Sequence, residues 1–351
     1  MTPACIIGLS GHSGSGKTTL IEKVLPLLKR EGLSVGVLKH TSHHILSLDQ
    51  EGKDTDRFYR AGAEVVAAQD TTQIFSRSAD QEGDLLHALG VFPCGLDLVI
   101  VEGHKGSNIP KAWFESKAPQ PDAHQNTEYK TVICRDDPGH VEKILEFIRK
   151  ELEAQFQRRP VFAGLLIGGK SSRMGRPKTL LEISGTTLVE RTAGILAGVA
   201  PRLLLLGSAE LPGSLLPADR LPDADDSRGP LSGMLSAFRW APQSTWLISS
   251  VDMPLMRREA WEWLLAQRRP GAWAVMPQRE GSEKVEVTGA CYEPMIFGYA
   301  ESLAQKGIAR LHAMASHPKV LKPVVPKHLA DAWGNVNTPD EWERILSAAG
   351  Q

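Results

Sequence analysis

Two glycine- and lysine-bearing segments carry residue types suited to phosphate chemistry. "GLSGHSGSGKTTL" (8–20) sets Gly11, Gly14, Gly16, Lys17, Thr18 and Thr19 in the spacing G-x-x-x-x-G-K-[ST]. Glycines let successive backbone N–H groups turn around an anion. The lysine then reaches the outer phosphates, and the first threonine hydroxyl ligates Mg²⁺. "GLLIGGKSSRMGRPKTLL" (164–181) has a similar flavour but a different spelling, because no G-K-[ST] follows the required spacing. Leu166, Gly168 and Gly169 end an apolar run, where the absence of a Cβ permits close approach of a nucleotide. Ser171, Ser172 and Arg173 add donors, and Lys178 can neutralise charge building on a phosphate. The bland alternative is a surface loop whose basic residues serve solubility.

Acidic partners are expected at strand ends. Glu102 closes "LDLVIVE" (96–102), placed for Mg²⁺ or its water, whereas Asp97 reads as the start of that strand. Asp252 follows the apolar run of "TWLISSVDMP" (245–254) and can hold a second Mg²⁺; a strand-end cap is its plain alternative. In "LPDADDSRGPLSG" (221–233), Asp223 is the candidate for a ribose or substrate contact, with Asp225 and Asp226 as solvated charges. Asn335 and Asn337 of "WGNVNTPDEW" (333–342) alternate across an expected strand, so both amides face one side toward an acceptor phosphate or metal shell. Turn formation is the competing reading. His40, His43 and His44 invite zinc, yet no cysteine accompanies them. A polar loop beside a phosphate cradle suits phosphate or Mg²⁺-water contacts better, with Asp49, Lys53, Asp54 and Thr55 on the same surface.

The elements that must position these groups follow an α/β rhythm. Apolar runs at 4–9, 34–39, 63–69, 96–103 and 130–135 alternate with helical patterns at Lys17–Arg30 and 136–155, which predicts a mostly parallel sheet covered on both faces. The pattern restarts at 160–169 and continues through runs at 202–207, 245–254, 271–277 and 286–292, with helices at Thr187–Ala200 and Pro339–Ala349. Length and pattern therefore predict two domains, 1–156 and 160–351, joined by the polar, proline-terminated "FQRRP" (156–160). The chain is 42% hydrophobic and 23% charged, a soluble globular composition. A net charge of −1 gives no general attraction to nucleic acid or an anionic membrane. No run resembles a signal peptide or approaches the about eighteen apolar residues of a membrane span. Four cysteines without a CxxC pair fit a reducing cytoplasm.

The N-terminal motifs "GHSGSGKTTL", "KHTSHH", "DQEGKDTDRFYRAGA" and "DLVIVEGHKGSNIPK" occur in the order found in the MobB family, and residues 1–155 resemble those molybdopterin-guanine dinucleotide adapter proteins. The resemblance implies a P-loop NTPase-type domain that binds and slowly hydrolyses GTP as an accessory. Residues Gly11–Thr18 would bind the phosphates, Glu102 would serve Mg²⁺, and the histidine stretch would flank the nucleotide. Trp113 stands where a smaller apolar residue is expected. "LIGGKSSRMGRPKTLL", "GPLSG", "SVDMP" and "NVNTPDEW" make residues 161–351 resemble the MobA family, the molybdenum cofactor guanylyltransferases, with a Rossmann-like nucleotidyltransferase fold. That resemblance implies transfer of GMP from GTP to molybdopterin or its molybdenum-bearing form. Lys178, Arg173, Asp252, Asn335 and Asn337 would then act catalytically, while Gly168 and Gly169 hold the nucleotide.

Arg176-Pro177 before Lys178 is also a cytidylyltransferase spelling, and a sugar-nucleotide pyrophosphorylase would use a similar loop. Gly168-Gly169 and the two asparagines favour guanine. The partners this reading implies are GTP and molybdopterin, apo-molybdoenzymes and other cofactor-biosynthesis proteins, and a second copy through the N-terminal domain.

Overall fold

The computed structural model describes residues 5–41, 51–78, 84–116, 129–168, 174 and 176–349. The first run of elements is β1 (Ile6–Ser10), α1 (Lys17–Arg30), β2 (Val35–Lys39), α2 (Asp54–Arg60), β3 (Val65–Gln69), β4 (Ile74–Ser78), α3 (Leu85–Leu89), β5 (Leu98–Glu102), β6 (Lys111–Glu115), β7 (Thr131–Cys134) and α4 (His140–Gln157). Among these, β2, β5, β1, β6 and β7 form an all-parallel sheet in that order. The unbroken apolar run of β5 is explained by cover on both faces. Leu98 and Ile100 join α1 and α4 through Leu20, Val24, Ile144 and Ile148, while Val99 and Val101 meet Leu85 and Leu89 of α3.

Two sequence expectations change here. The run at 63–69 supplies β3, but β3 pairs antiparallel with β4 in a separate two-stranded sheet. Asp70 makes that hairpin, its Oδ1 accepting from the backbone N–H of Thr72 (2.6 Å) and Gln73 (2.7 Å). The main sheet takes β6 instead. Lys111 is buried in β6 because its ammonium donates to the carbonyls of Lys105 and Ser107, so a charged residue occupies an inner strand.

The second run is β8 (Val161–Leu166), β9 (Glu182–Ile183), β10 (Thr186–Thr187), α5 (Leu188–Ala197), β11 (Arg202–Leu206), β12 (Arg220–Leu221), α6 (Pro230–Trp240), β13 (Thr245–Ser250), α7 (Arg258–Ala266), β14 (Ala274–Val275), β15 (Ala290–Tyr292), α8 (Phe297–Gln305), β16 (Val320–Leu321) and α9 (Pro339–Ala349). The sheet order is β12-β11-β8-β13-β15-β14-β16, with β15 antiparallel to both neighbours. One face is covered by α5, α7 and α9 through Leu188, Leu196, Trp261, Leu264 and Trp342. The other is covered by α6 and α8 through Met234, Leu235, Phe238, Phe297 and Ala300. Residues 334–337 do not form the expected strand; the segment is irregular, tied down by the Val336 N–H to the Asp252 carbonyl at 2.8 Å.

The joint at 156–160 is not a solvated linker. Phe156 is buried, and Arg159 donates to Glu293 Oε2 at 2.5 Å. Glu293, itself 1% exposed, also accepts from Arg268 Nε (2.6 Å) and the Thr245 hydroxyl (2.8 Å). A second buried contact lies beside it. Asp97 Oδ2 accepts from the Ser34 N–H (2.7 Å) and Lys319 Nζ (2.5 Å), and Asp97 Oδ1 accepts from Trp273 Nε1 (3.1 Å).

Asp97 and Ser34 precede β5 and β2, Thr245 is the first residue of β13, and Trp273 and Lys319 precede β14 and β16. The two sheets therefore meet at the amino ends of their parallel strands. Groups at the carboxyl ends lie at the other end of their strands from this contact.

Candidate active site

The loop between β1 and α1 wraps an anion-sized turn. A Cβ added at Gly11 would stand 2.1 Å from the Phe114 carbonyl, so only glycine lets β6 pack there. Gly14 and Gly16 turn with φ of 72° and 97°, and α1 starts at Lys17. Lys17 folds back, donating to the carbonyls of His12 (2.7 Å) and Gly11 (3.2 Å). Burial holds its pKa below the ordinary lysine value; Glu102 pulls it back up, while Lys105 and Lys39 push it further down.

The Thr18 hydroxyl lies 3.1 and 3.2 Å from the two carboxylate oxygens of buried Glu102, because β5 pairs with β1 in register. Thr19 is exposed on the first turn of α1. This pair of hard oxygen donors beside an amide-lined turn suits Mg²⁺ and a phosphate chain. At the rim, the His40 and His104 rings meet tilted at 41°, with centroids 4.1 Å apart. His43 and His44 lie outside the described residues, as do Asp49, Gly169, Ser171, Ser172, Arg173 and Gly175. Among the described residues no group of three or more His, Cys, Asp or Glu is placed to hold a metal.

The second site is a cleft of about 880 Å³ along the carboxyl edge of the larger sheet. Its order follows the strands. Asp223, after β12, and Leu166, Ile167 and Gly168, at the end of β8, line one half. The Asp223 carboxylate is nested among glycines: a Cβ at Gly207 or Gly233 would stand 3.4 Å from it, and one at Gly168 3.9 Å. The Ser232 hydroxyl donates to Asp223 Oδ1 at 2.9 Å.

Ser250 and Asp252, at the end of β13, line the middle, with Lys178 and Asn337 over them. Lys178 Nζ lies 3.3 Å from Asp252 Oδ2 and 2.9 Å from Asn337 Oδ1. The other oxygen of Asp252 accepts from the Ser250 hydroxyl. Asn337 is aimed by α9: Glu341 accepts from the backbone N–H of Asn337 (2.7 Å) and Thr338 (3.1 Å), a reciprocal cap that fixes the turn.

The structure thus brings Lys178, Asp252 and Asn337 together and separates Asn335 from them. Asn335 does not line the cleft, because the irregular backbone breaks the expected alternation; its Oδ1 is buried without a hydrogen-bond partner among the described residues. Arg176, Ser250 and Thr288 are among the cleft residues to which the sequence assigns no role. Arg176 was noted only as spelling, and Thr288 sits in a segment read merely as a strand. Ser250 could have been found, since it shares a face with Asp252 at i, i+2.

The comparisons with known proteins follow the same division. Residues 6–134 match the family model described as molybdopterin guanine dinucleotide synthesis protein B, and residues 163–329 match the MobA-like NTP transferase domain. The molybdopterin-guanine dinucleotide biosynthesis adapter protein of Haemophilus influenzae is 34% identical over 40% of this chain and 79% of its own length. The probable molybdenum cofactor guanylyltransferase of Deinococcus radiodurans is 32% identical over 55% of this chain and 96% of its own. A molybdenum cofactor biosynthesis bifunctional protein of Synechocystis is 26% identical over 55% of this chain and 56% of its own. The chain therefore belongs to two families at once, the MobB adapter proteins through its first sheet and the MobA-like NTP transferases through its second.

Proposed function

We propose that the larger sheet's cleft joins GMP from GTP to the terminal phosphate of molybdopterin or its molybdenum-bearing form, and that the P-loop binds and slowly hydrolyses GTP as an accessory. The observation that carries the first half is Lys178 held between Asp252 and Asn337, at the middle of a cleft that runs on to Asp223. In the transfer, an oxygen of the acceptor phosphate forms a bond to the α-phosphorus of GTP. The α–β bridging bond breaks, and pyrophosphate leaves with the electron pair. The attacking phosphate is already anionic, so no side-chain nucleophile or base is required; positioning and charge neutralisation suffice.

The nucleoside fits the Asp223 half, where a carboxylate among glycines can accept from nucleoside N–H and O–H donors. Lys178 is restrained by Asp252 and Asn337 in the free chain and turns to the phosphates when they enter. Asp252, its carboxylate aimed by Ser250, is then free to hold Mg²⁺, as Thr18 and Glu102 would at the P-loop. The oxygen donors at both places fit that ion, which supplies charge neutralisation on the phosphates. Gly169 and Arg173 belong to the same proposal as nucleotide contacts, and product delivery to apo-molybdoenzymes follows from it.

The test is transfer of α-labelled GTP, CTP or ATP to molybdopterin by the purified chain with Mg²⁺. We expect GTP-dependent dinucleotide formation, lowered about 100-fold or more in Lys178→Ala and Asp252→Ala, the scale of removing a group that stabilises developing charge. Preferred use of CTP, transfer to a sugar phosphate instead, or near-normal turnover in either variant overturns the reading.

A further inference from the structure

We infer that Thr288 binds the acceptor phosphate, and that Trp333 holds it in place. This rests on the reading of the cleft as a nucleotidyltransferase site. The order of strands sets out the cleft wall. Along the cleft edge run β12, β11, β8, β13 and β15, neighbours about 4.8 Å apart, which spreads the wall over roughly 19 Å. Asp223 and Gly168 occupy the β12–β8 half, and Lys178, Asp252 and Asn337 gather over β13. Beyond them, on the side away from the nucleoside, the wall is Thr288, just ahead of β15. A nucleotide spanning from Asp223 to Lys178 leaves its α-phosphorus near β13, so the attacking group approaches from the β15 side.

Thr288 is half-buried in the cleft wall, and its hydroxyl has no hydrogen-bond partner among the described residues. Its backbone, by contrast, is fixed on both sides. The Gly289 N–H donates to the Ile248 carbonyl at 2.7 Å, and the Gly289 carbonyl accepts from Trp333 Nε1 at 2.8 Å. The Tyr292 hydroxyl donates to the Val287 carbonyl just before. Trp333 is fully buried and lies two residues from the Asn335-Val336-Asn337 turn. One indole therefore ties the Thr288 turn to the segment that carries Asn337. A hydroxyl held rigidly by buried bonds yet left unengaged is preorganised for an incoming acceptor. A phosphate dianion approaching Lys178 needs such a neutral donor on its far side.

Thr288 is thus a substrate-contact residue and Trp333 a positioning residue. The experiment measures GMP transfer with molybdopterin varied at saturating GTP, alongside GTP affinity by titration, for wild type, Thr288→Val, Thr288→Ser and Trp333→Phe. Thr288→Val keeps the shape and removes the hydroxyl. It should lower kcat/KM for molybdopterin about 10- to 100-fold, the range of one hydrogen bond to a charged group, with GTP affinity within about twofold. Thr288→Ser should restore transfer to within about threefold of wild type. Trp333→Phe keeps the buried ring and loses the donor, so it should raise KM for molybdopterin more than it lowers kcat.

Normal kinetics in Thr288→Val overturn the assignment, as does equal weakening of GTP binding. A Thr288→Ser variant as impaired as Thr288→Val also overturns it. No transfer by wild type with any nucleotide overturns the reading of the cleft itself, a result distinct from the others.

Discussion

Replacing Asp97 with asparagine should separate the two halves of the protein without touching either site. The Asp97 side chain is 1% exposed, and its carboxylate accepts from the Ser34 N–H, Trp273 Nε1 and Lys319 Nζ, the last two from the other half of the chain. Asparagine has the same shape but leaves the ammonium without its counter-ion and points an NH₂ at groups that are themselves donors. Breaking a buried ion pair by removing one partner costs about 3–5 kcal/mol. Lys319 keeps some solvent (18% exposed) and the Ser34 hydroxyl at 2.8 Å, which places the loss near the lower bound, about 3 kcal/mol.

That is a large share of the about 5–15 kcal/mol that holds an ordinary domain folded. Urea unfolding followed by tryptophan fluorescence, with Trp273 as interface reporter, and by far-ultraviolet circular dichroism reads it directly. In Asp97→Asn the fluorescence transition should move to lower urea and part from the dichroism. Lys319→Met in the same background should cost less than in the wild type, giving a coupling energy of about 1–3 kcal/mol. A shift below about 1 kcal/mol, coincident transitions and zero coupling together would refute the reasoning.

Three further outcomes are expected. Ala at Gly289 must adopt φ near 74° and put its Cβ 2.7 Å from Trp333 Nε1. The backbone strain alone costs about 1–3 kcal/mol, so an unchanged urea midpoint would contradict the lock described for this turn. In a Lys178→Ala background, a fluorescent GTP analogue should bind more tightly with Mg²⁺ than without, and Glu102→Gln should erase that difference; equal Mg²⁺ dependence in both proteins removes Glu102 from the ion's coordination.

The last concerns Glu341. Its pKa lies below the ordinary 4.5, held down first by the Asn337 N–H and then by Thr338. A depressed carboxyl stabilises above its unfolded value and loses that contribution as pH falls through the folded one. The melting temperature of Glu341→Gln should therefore trail wild type by a constant amount above about pH 5, and the gap should close below 4.5. A gap that ignores pH counts against the cap.

Local signals in the sequence were sufficient for elements whose stabilisation is local or one-sided. The glycine-lysine turn with α1, the apolar β5 and β13, and α9 opening at Pro339 all carry their own periodicity and caps. What failed depends on distant partners. β6 hides behind Lys111, whose burial makes sense only once the carbonyls of Lys105 and Ser107 surround it. The run at 63–69 looks like any buried strand until the Asp70 turn pairs it with β4.

In the site, Lys178 and Asp252 were legible because each ends a recognisable run. Asn335 lies outside the cleft lining because the expected alternation needs a strand that the irregular backbone at 334–337 does not form. Thr288 was invisible, since nothing in "EVTGACY" signals that an indole 45 positions further on fixes its turn. Asp97 and Glu293 were equally silent; their roles exist only where two sheets meet.

The end-to-end joining of those sheets bears on where the two sites lie. At about 3.3 Å per residue, β5 carries Glu102 roughly 17 Å from the contact and β13 carries Asp252 roughly 23 Å from it. The P-loop and the cleft thus lie at the ends of their strands remote from the contact, and the described residues that line the cleft all come from the second sheet's half. One chain therefore sets the two sites at a one-to-one ratio, whatever the level of its synthesis.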